Sequence, residues 1–177
     1  MYEVFRYDWD EELRLLLALL VATGMRLEEA VELTWDRFND TEYQGIRYVS
    51  LLSTRFEEVN VKTQSSVRYV IIHQDLELPQ VLETGRLFSF RHGEAGQRIN
   101  PVLETLLNNP RKRVHSFRQT FKLMYRDEGV DEHSIDALIG HAEGDASKRA
   151  YAGVGVPRRH ELLSRLRHPW LNASPKG

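Results

Sequence analysis

The chain has 177 residues, 41% of them hydrophobic and 28% charged, which supplies enough apolar sequence for one packed domain and excludes a disordered or fibrous chain. It contains no cysteine, so disulfides, thiolate metal sites and cysteine nucleophiles are excluded and a cytosolic protein is expected. The net charge of −2 is unevenly spread: residues 1–60 hold 6 basic and 13 acidic side chains, residues 61–110 hold 5 of each, and residues 111–177 hold 13 basic and 8 acidic. A local basic patch matters more to a polyanion than the total does.

In chain order, the N-terminus lacks a basic segment followed by an apolar run, and the stretch from Leu13 to Val21 is too short to span a bilayer. Asp8 or Asp10 is placed to cap a helix in which Leu13, Leu16, Leu17 and Leu20 recur at helical spacing, with Gly24 as its left-handed stop. A short helix over residues 27–33 would turn Ala30, Val31 and Leu33 inward, which puts Arg26 at a tight, rigid junction between two helices. The β-branched and aromatic runs 46–52, 59–61 and 67–72 predict a small three-stranded antiparallel sheet, with Lys62 at or beside a hairpin turn. Turn-rich seams fall at residues 53–60, 91–97 and 108–113. Helices are expected at residues 99–107, 116–127, 132–138 and 159–166. The last lies in an amphipathic segment with Leu162, Leu163 and Leu166 on one side, expected to fold onto its own domain. No repeat or low-complexity tract interrupts this pattern, so residues 1–177 read as a single domain of α+β class, mostly α-helical, with a tail helix within 156–177.

His115 and Arg118 stand three apart on one helix, where they address one ligand together. Arg111, Lys112 and Arg113 precede them and add positive charge near a helix N-terminus, whose amides also favour an anion; this is the candidate DNA-binding segment. Further candidates are Arg26, Lys62, His141 and Tyr151: a guanidinium holds two phosphate oxygens, histidine passes protons near neutral pH, and tyrosine attacks covalently. Each has an ordinary reading when taken alone. Arg26 has Glu28 and Glu29 beside it, Lys62 suits a solvated turn, His141 suits a helix end, and Tyr151 suits a core. The remaining histidines show no zinc spacing, and neither a Gly-x-x-x-x-Gly-Lys loop nor a Gly-x-Ser-x-Gly elbow occurs.

Read together and in order, Thr23-Gly-Met-Arg26-Leu-Glu-Glu, Lys62-Thr, His115-Ser-Phe-Arg118, Leu138-Ile-Gly-His141 and Tyr151 resemble the catalytic domain of the tyrosine recombinases, or phage-type integrases, over nearly the whole chain. The resemblance implies DNA cleavage and rejoining through a 3′-phosphotyrosyl intermediate, without metal, ATP or other cofactor. It implies Tyr151 as nucleophile, Arg26, Arg118 and His141 as stabilisers of the phosphate, Lys62 as general acid and His115 as the proton-transfer residue. Double-stranded DNA is the implied partner, with four protomers assembling on it through their tails. Family members also carry an N-terminal DNA-clamping domain; its absence here leads us to expect an excised domain or a truncated product. One departure is that His141 and Tyr151 are ten residues apart where nine is usual. A non-cleaving DNA-binding relative, and a type IB topoisomerase-like or telomere-resolving enzyme, remain open alternatives.

Overall fold

A four-residue helix, α1 (Tyr2–Phe5), leads into α2 (Glu11–Thr23), whose sequence is apolar on nearly every side and which therefore lies inside the protein. The computed structural model describes residues 1–39, 45–51, 68–79, 85–140 and 155–173. Asp10 caps α2 by accepting a hydrogen bond from the Leu13 amide at 2.9 Å, and Gly24 ends it at φ +65°. Every residue from Leu16 to Thr23 is buried. Helix α3 (Leu27–Val31) follows at once, with Ala30 and Val31 buried as expected.

A 3-10 turn (Trp35–Arg37) then opens a three-stranded antiparallel sheet of β1 (Phe38–Asn39), β2 (Tyr48–Ser50) and β3 (Tyr69–Ile71), in that spatial order. Phe38 faces Val49, and Tyr48 faces Ile71. Strands β2 and β3 lie within the expected runs. Strand β1 is too short to leave a periodic signal, and the run expected at 59–61 lies outside the described residues.

The second half is helical: α4 (His92–Leu107), α5 (Ser116–Asp127), α6 (Glu132–Ile139) and α7 (Val156–Leu163), closed by a 3-10 turn at Pro169–Asn172. Helix α4 starts seven residues before the expected position, because the segment 91–97 is not a turn. Gly93, Gly96 and the internal Pro101 disfavour a helix by propensity, but Ala95, Ile99 and Leu103 recur every fourth residue and are all buried. Their tertiary burial, about 1.5–3 kcal/mol for each large aliphatic side chain, overrides the local preference. Helix α7 likewise starts earlier, at Val156, with Pro157 in its first turn where a missing N–H does no harm. No helix among the described residues is long and apolar enough to cross a membrane.

Two apolar cores result. One gathers α1–α4, including Leu16, Leu17, Val21, Met25, Ile99 and Leu103. The other joins Phe121, Tyr125, Ile135, Ile139, Val156, Leu162 and Leu163 with Tyr48 and Ile71 of the sheet. The tail folds onto its own domain, as expected. The Tyr125 hydroxyl donates to the Leu163 carbonyl at 3.0 Å, and Arg14 donates to the carbonyls of Leu171 and Ala173 at 3.2 and 2.6 Å. Asp75 accepts from the His168 amide at 2.6 Å and from Arg167 Nε at 3.0 Å.

Beneath this latch two histidine rings, His73 and His168, are buried edge to face at 4.4 Å. The Asp75 amide donates to His73 Nδ1, which leaves Nε2 to carry the proton and donate to the Leu166 carbonyl at 2.8 Å, so His73 is neutral. Neither ring nitrogen of His168 has a hydrogen-bond partner among the described residues. Burial pushes His168 down to about 4 against the opposing pull of Asp75. Below an unfolded value of about 6.5 the unfolded chain binds the extra proton and the native one does not, so stability present above pH 6.5 is lost as pH falls towards 4. From this residue we predict a loss of about 2 kcal/mol in unfolding free energy between pH 7 and pH 5. Urea titrations of His168→Phe should show that part of the profile flattened; an unchanged slope would remove His168 from the account.

Candidate active site

The segment Thr23-Gly24-Met25-Arg26 turns the chain from α2 into α3. The Thr23 hydroxyl donates to the Leu19 carbonyl at 2.6 Å and accepts from the Met25 amide at 3.3 Å, tying the turn to the helix before it. Gly24 is required twice over. Its φ of +65° disfavours any side chain, and a Cβ there would stand 2.7 Å from Ile139 Cγ2 on α6 and 3.0 Å from the Phe121 ring on α5. That close approach brings the Gly24 carbonyl to Arg118 Nη1, 2.7 Å away. The first-arginine segment and the His-x-x-Arg helix are thus joined by one hydrogen bond across 94 residues of sequence.

Arg26 occupies the N-cap of α3, and Glu29, three residues on, reaches back to accept from the Arg26 amide and from Arg26 Nη1, both at 2.8 Å. A third residue completes the arrangement. Arg68, just before β3, places Nη1 and Nη2 at 3.2 and 3.0 Å from the two Glu29 oxygens and Nε at 3.2 Å from the Leu138 carbonyl. Burial alone would raise the Glu29 carboxyl, but the charge and hydrogen bonds of Arg68, with the Arg26 amide and charge, hold it at about 2. Arg159 of α7 is buried too and donates to the Ala137 carbonyl at 2.8 Å. Ala137 and Leu138 lie in the last turn of α6, where the Ala137 carbonyl also takes a long 3.4 Å bond from the Gly140 amide and where cations are favoured. Gly140 ends that helix at φ +69°, and the chain passes directly to His141.

Arg118 is 7% exposed, and its Nη2 has no hydrogen-bond partner among the described residues. Burial, then the like charges of Arg68 and Arg26, pull Arg118 down to about 10, with Glu29 and Asp136 opposing. Burial and Arg68 do the same to Arg159, also to about 10. A buried guanidinium with an uncommitted N–H, surrounded by further cations, is ready to receive an oxyanion in a low-dielectric setting.

The structure therefore brings Arg26 and Arg118 into one electrostatic cluster. His115 stands exposed at the N-cap of α5, on the solvent side of the helix whose Arg118 turns inward. Arg111, Lys112 and Arg113 are exposed ahead of the same helix end, with Arg113 Nε tethered to the Pro110 carbonyl at 3.1 Å. Lys62, His141 and Tyr151 lie outside the described residues. Sequence reasoning missed Arg68 and Arg159. Arg68 is a lone charge inside an otherwise apolar strand run, and Arg159 shares the helical spacing of the buried Leu162 and Leu163 and the partly buried Leu166, so each carried a signal.

Gly24→Ala should lower the unfolding free energy by about 3 kcal/mol, combining left-handed strain with overpacking. Gly129, at φ +76° with open space where its Cβ would be, provides the comparison: Gly129→Ala should lose only the strain, about 1 kcal/mol. Equal losses in urea titrations of the two variants would show that the contacts with Ile139 and Phe121 are not tight.

A family model described as the phage integrase family matches residues 7–155, a span that takes in Arg26, Arg68 and Arg118. Searches of curated proteins and of solved structures returned no match. With most of its length so matched, and with its first-arginine segment and His-x-x-Arg helix meeting at Gly24, the chain belongs to the phage integrase family, the site-specific tyrosine recombinases.

Proposed function

We propose that the chain cleaves and rejoins double-stranded DNA through a covalent 3′-phosphotyrosyl intermediate. The observation that carries this reading is the buried Arg118 Nη2, which no described residue engages, beside Arg26 and Arg68. The Tyr151 oxygen attacks the scissile phosphorus, the bond to the 5′ oxygen breaks, and a phosphotyrosyl ester and a free 5′-hydroxyl result. Charge spread over the non-bridging oxygens falls to Arg26 and Arg118, with His141 adding a hydrogen bond. A phenol titrates near about 10, so Tyr151 needs an acceptor for its proton, and the exposed His115 is suited to that transfer. Lys62 protonates the departing 5′ oxygen. The ester retains the energy of the broken bond for attack by another strand, so no step calls for a metal ion or ATP.

Arg111, Lys112 and Arg113 contact flanking phosphates in this scheme, and protomers assemble on DNA through the face of the tail that self-packing leaves exposed, which carries Arg158, Glu161 and Arg165. The ten-residue separation of His141 and Tyr151 favours a second reading, a relative that binds DNA without cutting it.

A denaturing gel of protein incubated in EDTA with a pool of nicked duplexes separates the two. We expect a protein–DNA adduct that is lost in Tyr151→Phe; DNA binding with no adduct supports the second reading. Arg118→Lys should fold normally and cleave about 100-fold or more slowly, because an ammonium cannot hold both the Gly24 carbonyl and a phosphate oxygen in a planar fork. Undiminished cleavage by Arg118→Lys would remove Arg118 from the phosphate clamp.

A further inference from the structure

Among the described residues Glu29 is the carboxylate that pairs with Arg26, at 2.8 Å, and a simple ion pair between them would leave a neutral unit of little use to a phosphate. The geometry is otherwise. Arg68 makes the fork to both Glu29 oxygens, with a side chain only 2% exposed, while Arg26 reaches Glu29 Oε1 through Nη1 and keeps 23% of its side chain exposed. Arg26, Arg68 and Glu29 together carry one net positive charge; without Arg68 they would carry none. The third donor of Arg68 holds the Leu138 carbonyl, so the same guanidinium also fixes the helix end that leads through Gly140 to His141.

We propose that Arg68 is a positioning residue for strand cleavage, which neutralises Glu29 so that Arg26 keeps its charge for the phosphate, and which anchors the end of α6 in the same contact. This rests on the recombinase reading above. Loss of Arg68 leaves Glu29 to Arg26 alone, already 2.8 Å away, as a neutral pair. Removing the Glu29 charge as well returns the net positive charge, although it leaves the α6 anchor missing.

The test uses the full chain, a nicked duplex and three variants, Arg68→Met, Glu29→Gln/Arg68→Met and Arg68→Lys. We expect Arg68→Met to cut about 30-fold more slowly in single turnover with its affinity for the duplex little changed, and the double variant to recover about tenfold of that, the coupling expected of groups in one network. A merely structural role predicts a double variant no faster than the single one. That outcome, or Arg68→Met cutting within about threefold of the parent chain, would overturn the proposal. A readout independent of cleavage is the Nε–H resonance of Arg26 in arginine-labelled protein, which should shift in Arg68→Met and move back in the double variant. An unmoved resonance counts against the proposal whatever the activity. If the parent chain forms no adduct, the cleavage reading falls by itself and the resonance alone decides whether Arg68 sets Arg26. Should Arg68→Met not fold, Arg68→Lys decides on both readouts, since it keeps a charge and loses the fork: cleavage about tenfold slower and a shifted resonance support the role, and no change in either refutes it.

Discussion

Four arginine side chains gathered in and around the interior of one domain repel one another and forfeit their water, and either effect alone would be enough to push them apart. Among the described residues, what holds them is chiefly the Glu29 carboxylate and a set of backbone oxygens. Glu29 stands between Arg26 and Arg68, while the carbonyls of Gly24, Ala137 and Leu138 receive Arg118, Arg159 and Arg68. These carbonyls belong to the C-terminal ends of helices, where acceptor capacity is left to spare and the negative pole of the helix dipole lies. Among the described residues the cluster is therefore balanced by fold geometry as much as by counter-charge.

The same geometry places the cluster at the seam between the two apolar cores. Helix α2 belongs to one core and the Phe121 and Ile139 side chains to the other, and Gly24 is where they touch. A side chain at this point would wedge the cores apart and carry the Gly24 carbonyl away from Arg118. Interiors packed at crystal-like density give little when pressed, so positions fixed by both cores inherit their stiffness.

Much of this was legible in the chain. The leucine spacing of α2, the Asp10 cap and the Gly24 stop are local chemistry, and the sequence carries local chemistry directly. The ordered motifs around Arg26 and Arg118 were equally plain. What escaped notice depends on distant partners. Helix α4 forms through Gly93, Gly96 and Pro101 because Ala95, Ile99 and Leu103 find a core to enter, a fact that no window of its own residues contains. Strand β1 exists only as a partner to β2. Arg68 drew no notice within its strand run, since its counter-ion lies 39 residues upstream, and Arg159 was hidden among the charges of an amphipathic tail.

The choice of arginine throughout the cluster has an effect on how the site answers to its surroundings. Even with burial drawing Arg118 and Arg159 down to about 10, both stay cationic at neutral and mildly acid pH, where a buried lysine would surrender its proton. The electrostatic field offered to a phosphate is then a constant of the fold, insensitive to the medium. Any response of stability to acidity must arise from other groups, among them His168 beneath the tail, which takes up its proton on unfolding, so sensing and holding are assigned to different parts of the molecule.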